Sequence, residues 1–359
     1  MKLLQEAVAR IQPQDPSFRD EARRRLEQLT MPHWALGRLM DLAVELAGMT
    51  RSTRPSVERR VVVTMAADHG VVAEGVSKYP QEVTPQMVRN FLNGGAGINA
   101  LARVARAQVV VVDMGVAAQI QELEQNTAFI SRKIAPGTSN MARGPAMSKD
   151  QALASIETGI SIAMDLASSF ELLATGDMGI GNTTPSSAIV ALLTGASVEE
   201  VTGRGTGVDD RQLAHKISVI SKAIELNAPD PSDPMDVLSK VGGFEIGGIA
   251  GLILGCAACK KPVILDGFIS TAGALIAQAL CPVSTHYMIS SHKSVEQGHR
   301  IALQRLGLKP LLDLDLRLGE GTGAALAMPL VEAAVRILTE VATFEEASMS
   351  KAADPERVE

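Results

Sequence analysis

The residues best suited to chemistry are acids placed beside glycines, and Glu320 is the clearest of them. It lies between Gly319 and Gly321, after residues 311–316, whose alternating Leu and Asp predict a strand. Flanking glycines allow a sharp turn and the close approach of a ligand. A carboxylate in such a turn can take a proton from a bound molecule. For this segment alone, a solvated acid in an ordinary strand-end turn is the simpler interpretation.

Four other short runs, rich in β-branched and apolar residues, are followed by the same combination of an acid and a glycine. They are residues 61–65, 109–112, 172–175 and 263–265, followed by Asp68 and Gly70, Asp113 and Gly115, Asp177 and Gly179, and Asp266 and Gly267. Longer helical patterns separate the runs, which predicts βαβ units and a parallel sheet. Ligands bind beyond the carboxyl ends of such sheets. We therefore expect one site built from several loops, although Gly and Asp are also common turn residues.

Three further segments could bind a ligand at the start of a helix. Residues 175–184 precede an Ala-rich helix, whose free N–H groups suit a phosphate, or they form an ordinary turn. Their spacing matches neither a P-loop nor a dinucleotide fingerprint. Residues 202–210 precede a helix with Lys216, which either serves an anion or is a solvated surface residue. In residues 290–299, Ser294 could donate to a phosphate or a ribose.

Composition narrows the class of protein. The chain has 359 residues, 46% of them hydrophobic and only 3% aromatic, which suits an α/β protein with an aliphatic core. Its formal net charge of -6 argues against a nucleic-acid-binding protein. Three cysteines are too few for a disulfide framework, and the Cys256-x-x-Cys259 pair in an apolar run predicts buried thiols. His292 and His299 lack the spacing of a helical metal pair, so no metal is expected.

The order of patterns predicts three parts. Residues 1–55 form the N-terminal helices of a small helical subdomain, with Ser17 as a helix cap and Gly48 as a helix end. Residues 56–323 form the parallel α/β domain with the active site, and residues 324–359 return to the subdomain as a C-terminal helix and tail. Residues 246–259, the most apolar stretch, are too short to span a bilayer. With no signal peptide apparent, a cytoplasmic protein without membrane contact is expected.

Four long segments resemble the nicotinate-nucleotide:dimethylbenzimidazole phosphoribosyltransferase family, in the same order along the chain. They are residues 66–81, 176–184, 291–299 and 316–323. The resemblance implies a Rossmann-like parallel sheet flanked by helices, a smaller helical subdomain from both termini, and a homodimer. It implies transfer of the phosphoribosyl group of nicotinate mononucleotide to a benzimidazole nitrogen with inversion. This step belongs to nucleotide loop assembly of cobalamin and uses no cofactor.

The resemblance also implies roles for individual residues. Glu320 matches the general base, Asp177 the second active-site acid and Lys216 the active-site lysine. The loop that binds the aromatic base falls on residues 77–86, with Ser77, Tyr79 and Gln86. The residues implied to bind the nucleotide and its phosphate are Gly179, Gly205, Asp266, Gly267, Ser294 and Arg317.

Two segments depart from the family pattern. Asp177 stands where the family usually has Glu, and residues 32–40, including Trp34, replace a Pro-Pro-Gly-Ser-Leu-Gly-Arg-Leu-Glu segment. The sequence therefore leaves the preferred aromatic base open. Two alternatives to the implied activity remain: a paralogue that attaches a phenolic or other base, and a non-catalytic nucleotide-binding protein on the same fold.

Overall fold

The structure, a computed structural model, describes residues 2–205, 207 and 209–350. The chain divides into two compact units, Met1–Gln12 with Glu58–Met328, and Pro13–Val57 with Pro329–Glu359. The first helix, Lys2–Arg10, packs on two helices of the first unit, Lys149–Ala167 and Phe244–Ala258. Residues 2–12 therefore lie with the sheet, whereas the sequence grouped residues 1–55 together.

The first unit is built on six parallel strands. They are β1 (Arg60–Ala67), β2 (Ala107–Gly115), β3 (Phe129–Ser131), β4 (Leu172–Met178), β5 (Val263–Leu265) and β6 (Met288–Ser290). Their order in the sheet is β3-β2-β1-β4-β5-β6, and every neighbouring pair is parallel. The chain reverses its direction of winding between β1 and β4, where open α/β sheets form their binding crevice. The predicted parallel α/β fold is confirmed.

The helices are numbered in chain order within the described residues. They are α1 (Lys2–Arg10), α2 (Pro16–Leu26), α3 (Arg38–Thr50), α4 (Val83–Leu92), α5 (Gly97–Ala105), α6 (Lys149–Ala167), α7 (Thr183–Thr194), α8 (Val198–Val201), α9 (Asp210–Asn227), α10 (Pro234–Val241), α11 (Phe244–Ala258), α12 (Phe268–Leu280), α13 (Gln297–Leu306) and α14 (Thr322–Glu340). Short 3-10 helices span Gly70–Glu74, Gln121–Leu123 and Pro282–Tyr287.

Helix α11 forms the centre of the core. Every residue from Phe244 to Ala258 is buried, because the helix packs between the sheet and α6. Its glycines make this approach possible: a Cβ at Gly248 would lie 2.5 Å from Met65 Sδ, and one at Gly251 would lie 2.0 Å from the carbonyl oxygen of Ile156. Of the two thiols predicted to be buried, Cys256 is confirmed, whereas Cys259, just after α11, is only half-buried.

The strand predicted over residues 311–316 is wrong. Within it only Leu312 forms a β-bridge, an isolated one to His292, which lies after β6 and outside the sheet. Asp315 has a left-handed backbone (φ 52°), which interrupts an extended chain, and Leu314 is 56% exposed. The sequence did not reveal β3 and β6, because each has three residues and ends in a serine, whereas the equally short β5 is apolar throughout.

In the second unit, two predicted helix ends differ from the structure. Asp15 rather than Ser17 caps α2, because the Asp15 carboxylate accepts a hydrogen bond from the Ser17 N–H at 3.0 Å. Helix α3 continues past Gly48 to Thr50 and ends on Arg51 in a left-handed conformation. Gly48 instead permits close packing, since a Cβ there would lie 2.5 Å from Arg19 Cγ of α2.

Among the described residues, helix α14 alone is long and apolar enough to cross a membrane by length and composition. Of its most apolar window, 61% is buried inside the protein. Core helices pass the same test of length and composition.

Candidate active site

Glu320 lies in a buried turn immediately before α14. Its side chain reaches the first turn of α5, where Oε2 accepts a hydrogen bond of 2.9 Å from the N–H of Ile98. Burial raises the pKa of Glu320, and the N–H groups of Ile98 and Gly97 only partly offset this increase. The result is a carboxylate whose pKa is shifted toward neutral pH, which suits a general base.

The turn around Glu320 is held by a residue of β1 and by one that directly follows β5. The hydroxyl of Thr64, on β1, donates to the carbonyl oxygen of Glu320 at 2.9 Å. The carboxylate of Asp266, which follows β5, accepts from the N–H groups of Gly321 at 3.0 Å and Gly323 at 2.8 Å. Asp266 therefore contacts main chain of the turn, and its predicted contact with a nucleotide stays a prediction.

Asp177, near the end of β4, is the second buried acid at this edge. Its Oδ2 accepts a hydrogen bond of 3.0 Å from the side-chain amide of Asn182. Burial, followed by the charges of Asp266, Glu245 and Glu320, raises the pKa of Asp177 to about 8. At pH 7 this carboxyl group is therefore mostly protonated in the ligand-free protein.

A buried histidine–glutamate pair lies next to these acids. His69 follows β1, Glu245 belongs to α11, and their Nε2 and Oε1 atoms are 2.7 Å apart, with side chains at most 1% exposed. Burial lowers the pKa of His69, but Glu245 and Asp68 raise it more, so the net shift is upward. The sequence did not reveal this pair, because 176 residues separate its members and Glu245 lies in a segment rich in glycine.

Lys216 is a buried residue of α9. Its Nζ donates a hydrogen bond of 2.6 Å to the hydroxyl of Thr183 at the start of α7. Burial lowers the pKa of Lys216 to about 8, although the charge of Glu296 acts in the opposite direction. The alternative of a solvated surface lysine is therefore wrong.

Glu296 organises four residues that the sequence assigned to ligand binding. Its Oε1 accepts from the N–H of Gly205 at 3.0 Å, and its own N–H donates to the hydroxyl of Ser294 at 3.3 Å. Burial raises the pKa of Glu296, while the charges of Lys216 and Arg317 lower it. The structure thus brings Lys216, Gly205, Ser294 and Arg317 into one neighbourhood. Glu296 lies within the family segment of residues 291–299, but the sequence did not predict a role for it.

The two remaining glycines differ in their surroundings. A Cβ at Gly179 would lie 2.4 Å from the carbonyl oxygen of Ala67, so packing alone requires glycine there. Gly267 precedes α12, whose start has no side-chain cap, and a Cβ there would meet only His292, at 3.7 Å. Gly267 therefore leaves room at the start of α12, while its own N–H bonds to the Asp266 carboxylate.

The segment predicted to bind the aromatic base lies on the surface beside the same edge. The hydroxyl of Ser77 accepts from the N–H of Tyr79 at 3.2 Å, Tyr79 is 53% exposed, and Gln86 is exposed on α4. Thr84, also on α4, accepts a hydrogen bond of 3.1 Å from the N–H of Ile180. This bond joins the segment to the turn after β4, while a base-binding role for the three side chains stays a prediction.

No group of three His, Cys, Asp or Glu side chains suited to a metal ion occurs among residues 2–205, 207 and 209–350. His292 and His299 stack with ring centroids 5.8 Å apart, and burial lowers the pKa of each to about 4. Neutral rings suit their local bonds: His299 is bonded to the hydroxyl of Thr271 and to the carbonyl oxygen of His292. These histidines therefore stabilise the segment that carries Ser294.

The fold and the site define an α/β enzyme with buried acids at the crevice of a parallel sheet. A family model described as phosphoribosyltransferase matches residues 11–349. The chain belongs to the nicotinate-nucleotide–dimethylbenzimidazole phosphoribosyltransferase family, as its resemblance predicted.

Curated relatives and solved structures of this family match nearly the whole chain. The enzyme of that name from Syntrophotalea carbinolica is 64% identical and that from Desulfotalea psychrophila 56% identical, each over 98% of this chain and 99% of the relative. A crystal structure of the enzyme from Thermus thermophilus aligns with a TM-score of 0.88 at 46% identity. A structure of CobT from the same organism aligns with a TM-score of 0.90 at 47% identity. Each alignment covers 94% of this chain and 100% of the other.

Proposed function

We propose that this protein transfers the phosphoribosyl group of nicotinate mononucleotide to dimethylbenzimidazole or a related base. The products are α-ribazole 5′-phosphate and nicotinate, and the step belongs to nucleotide loop assembly of cobalamin. The relatives named for this activity support the proposal. The observation that carries it is the buried Glu320 carboxylate at the start of α5, beside the carboxyl end of β4.

Glu320 acts as the general base. One ring nitrogen of the benzimidazole attacks C1′ of the ribose, and the proton on the other nitrogen must then leave. The upward shift of its pKa makes Glu320 a stronger proton acceptor than an exposed glutamate. Such catalysis contributes roughly 10²–10⁴-fold to a rate.

Asp177 stabilises the positive charge that develops on the ribose as the bond to nicotinate breaks. In the ligand-free protein this carboxyl group is mostly protonated at pH 7. The pyridinium ring of nicotinate mononucleotide carries a positive charge, which lowers the pKa of a nearby acid and favours the carboxylate. Binding of the nucleotide therefore creates the negative charge that the reaction needs.

The other predicted residues bind the two substrates. Lys216 and Arg317, with the main chain at Gly179, Gly205 and Gly267 and the hydroxyl of Ser294, hold the phosphate and ribose. The gathering of Lys216, Arg317, Gly205 and Ser294 around Glu296 supports their assignment, as does the place of Gly267 before α12. The assignment of Gly179 rests on the family resemblance alone. Ser77, Tyr79 and Gln86 border the aromatic base. The enzyme works as a homodimer with the site in residues 56–323, and the reaction needs no metal.

The test is to incubate the purified protein with nicotinate mononucleotide and dimethylbenzimidazole, without added metal. Nicotinate and α-ribazole 5′-phosphate are expected, and NMR of the anomeric proton distinguishes the α-product from the β-product. Attack from the face opposite nicotinate requires inversion, so a β-product contradicts the proposal. Benzimidazoles, adenine and phenols are compared by mass spectrometry. Preference for a phenol would indicate the paralogue, and no product with any base would indicate a non-catalytic binding protein.

A further inference from the structure

Asp266 is a fully buried acid whose two carboxylate oxygens face main-chain N–H groups. Oδ2 accepts from Gly321 at 3.0 Å, and Oδ1 accepts from Gly323 at 2.8 Å and from Ala324 at 3.1 Å. The N–H of Gly267 also bonds to this carboxylate. Three of these four donors belong to the turn and first residues of α14, directly after Glu320.

The main chain of Asp266 is fixed as well. Its N–H donates to the hydroxyl of Thr175, on β4, at 3.1 Å, and its carbonyl oxygen accepts from the hydroxyl of Ser291 at 3.1 Å. The carboxylate is therefore anchored to the sheet between β4 and the loop after β6. Because the carboxylate is fixed, the main-chain N–H groups that bond to it are held in place as well.

The Glu320 turn needs such support. Glu320 has a left-handed backbone (φ 64°), which a non-glycine residue keeps only when its surroundings hold it. Its neighbours Gly319 and Gly321 also have positive φ values, of 83° and 97°. Because glycines are flexible, this stretch would relax readily if its hydrogen bonds were lost.

We propose that Asp266 is a positioning residue: its carboxylate fixes the turn that aims Glu320 at the start of α5, rather than contacting the nucleotide. The inference rests on the proposed role of Glu320 as general base. Asp266 acts together with Thr64, which holds the carbonyl oxygen of Glu320 from the opposite side. Both groups belong to the peptide that joins Glu320 to Gly321, so the two contacts fix the orientation of this peptide.

A carboxylate is specifically suited to this position. An asparagine of the same size has one acceptor oxygen, so its NH₂ group must face either Gly321 N–H or the N–H groups of Gly323 and Ala324. Burial raises the pKa of Asp266 to about 7, so the carboxylate depends on the N–H groups that it accepts from and on the helix dipole at the start of α14, both of which favour the negative charge. Asp266→Asn therefore keeps the volume of the side chain but loses part of its hydrogen bonds to the turn.

The test measures kcat and the Kd for nicotinate mononucleotide in three full-length variants: Asp266→Asn, Glu320→Gln and the double variant. We expect Asp266→Asn to lower kcat roughly 10–100-fold, within the range of a displaced general base. Calorimetric titration with nicotinate mononucleotide should give a Kd within about threefold of the wild-type value. Because Asp266 acts through Glu320, the double variant should be no slower than Glu320→Gln alone.

Three results would overturn the inference. One is a weakened Kd for nicotinate mononucleotide with an unchanged kcat, since that indicates direct contact with the nucleotide. Another is a double variant whose kcat lies below that of Glu320→Gln by the same factor by which Asp266→Asn alone lowers kcat. The third is an Asp266→Asn variant with wild-type kcat. A Glu320→Gln variant with wild-type kcat would instead reject the proposed base itself, which separates the two failures.

Two more variants keep the test informative. Asp236→Asn is the matched control. Asp236 lies on α10, is also buried, and accepts at Oδ2 a hydrogen bond of 2.9 Å from the main-chain N–H of Asp230. This variant should leave kcat unchanged. If Asp266→Asn does not fold, Thr64→Val removes the other contact on the turn. It should lower kcat with little change in nucleotide Kd, and an unchanged kcat would count against positioning of the turn.

Discussion

Oε2 of Glu320 accepts a hydrogen bond of 2.9 Å from the N–H of Ile98, so a carboxylate from a glycine-rich turn lies at the N-terminal end of a helix. Two effects act on it in opposite directions. Burial favours the protonated acid, whereas the N–H groups and the helix dipole favour the carboxylate. Because burial dominates, the pKa is raised, and the group can accept a proton while it stays fixed in direction.

The first prediction concerns Glu320→Gln, which keeps the shape of the side chain but cannot accept the proton. Turnover should fall by about two orders of magnitude or more, with nucleotide binding nearly intact. The wild-type rate should rise with pH through the raised pKa of Glu320, because only the carboxylate is a base. The rate of Glu320→Gln should not show this rise with pH. Steady-state rates across pH with saturating base test this, and unchanged turnover would remove Glu320 as the base.

The second prediction concerns Asp177. Asp177→Asn should lower kcat, because an amide cannot acquire the negative charge that stabilises the ribose cation. Asp177→Glu should be tolerated, since glutamate is the usual residue of the family at this position. Nicotinate release by both variants is the measurement. A fully active Asn variant would show that Asp177 has only a structural role.

The third prediction concerns the dependence of stability on pH. The folded-state pKa of Asp177 is about 8, far above that of an unfolded aspartate, so the native state binds more protons between these values. The free energy of unfolding should therefore fall as pH rises from about 5 to about 8, by at most about 1.4 kcal/mol per pH unit for each such group. His69 acts in the same direction, because its raised pKa gives stability that is lost as pH rises.

Urea denaturation of the ligand-free protein at several pH values measures this slope. Asp177→Asn should flatten it, since the amide does not titrate, and should be more stable than the wild type near pH 8. Asp236→Asn serves as the comparison, because bonds to Lys240 and Asp230 outweigh burial and lower the pKa of Asp236. An equal slope in wild type and Asp177→Asn would mean that Asp177 is already ionised in the free protein.

The fourth prediction concerns Trp34, in the segment that departs from the family pattern. Its Nε1 donates to Asp41 at 3.0 Å, and the guanidinium of Arg23 lies 5.2 Å from the ring centroid. These contacts indicate a packing role within the second unit. Trp34→Gly should lower the free energy of unfolding by about 1 kcal/mol, because loss of both contacts outweighs relief of the left-handed backbone (φ 52°).

The preference among aromatic bases should then be unchanged in Trp34→Gly. Urea denaturation and product analysis with the panel of bases measure the two effects separately. A changed order of bases at unchanged stability would show instead that Trp34 takes part in choosing the base. Trp34→Phe, which keeps an aromatic ring for Arg23 but loses the bond to Asp41, separates the two contacts.

The sequence by itself determined the parallel sheet, the acids at its strand ends and the family. Runs such as residues 61–65 consist of β-branched and apolar residues because both faces of a parallel sheet are buried, so the pattern is local and visible. The motif around Glu320 is equally local, since glycines flank it on both sides. These features depend only on residues that are adjacent along the chain, so they can be recognised from the sequence.

Only the tertiary structure decided how the acids are used. Asp266 and Glu320 have the same kind of sequence context, yet one faces main-chain N–H groups of a distant turn and the other faces the start of α5. The His69–Glu245 pair and the burial of Lys216 likewise depend on elements far apart in the chain. A pKa is set by burial and by neighbouring charges in space, so it becomes known only after the chain has folded.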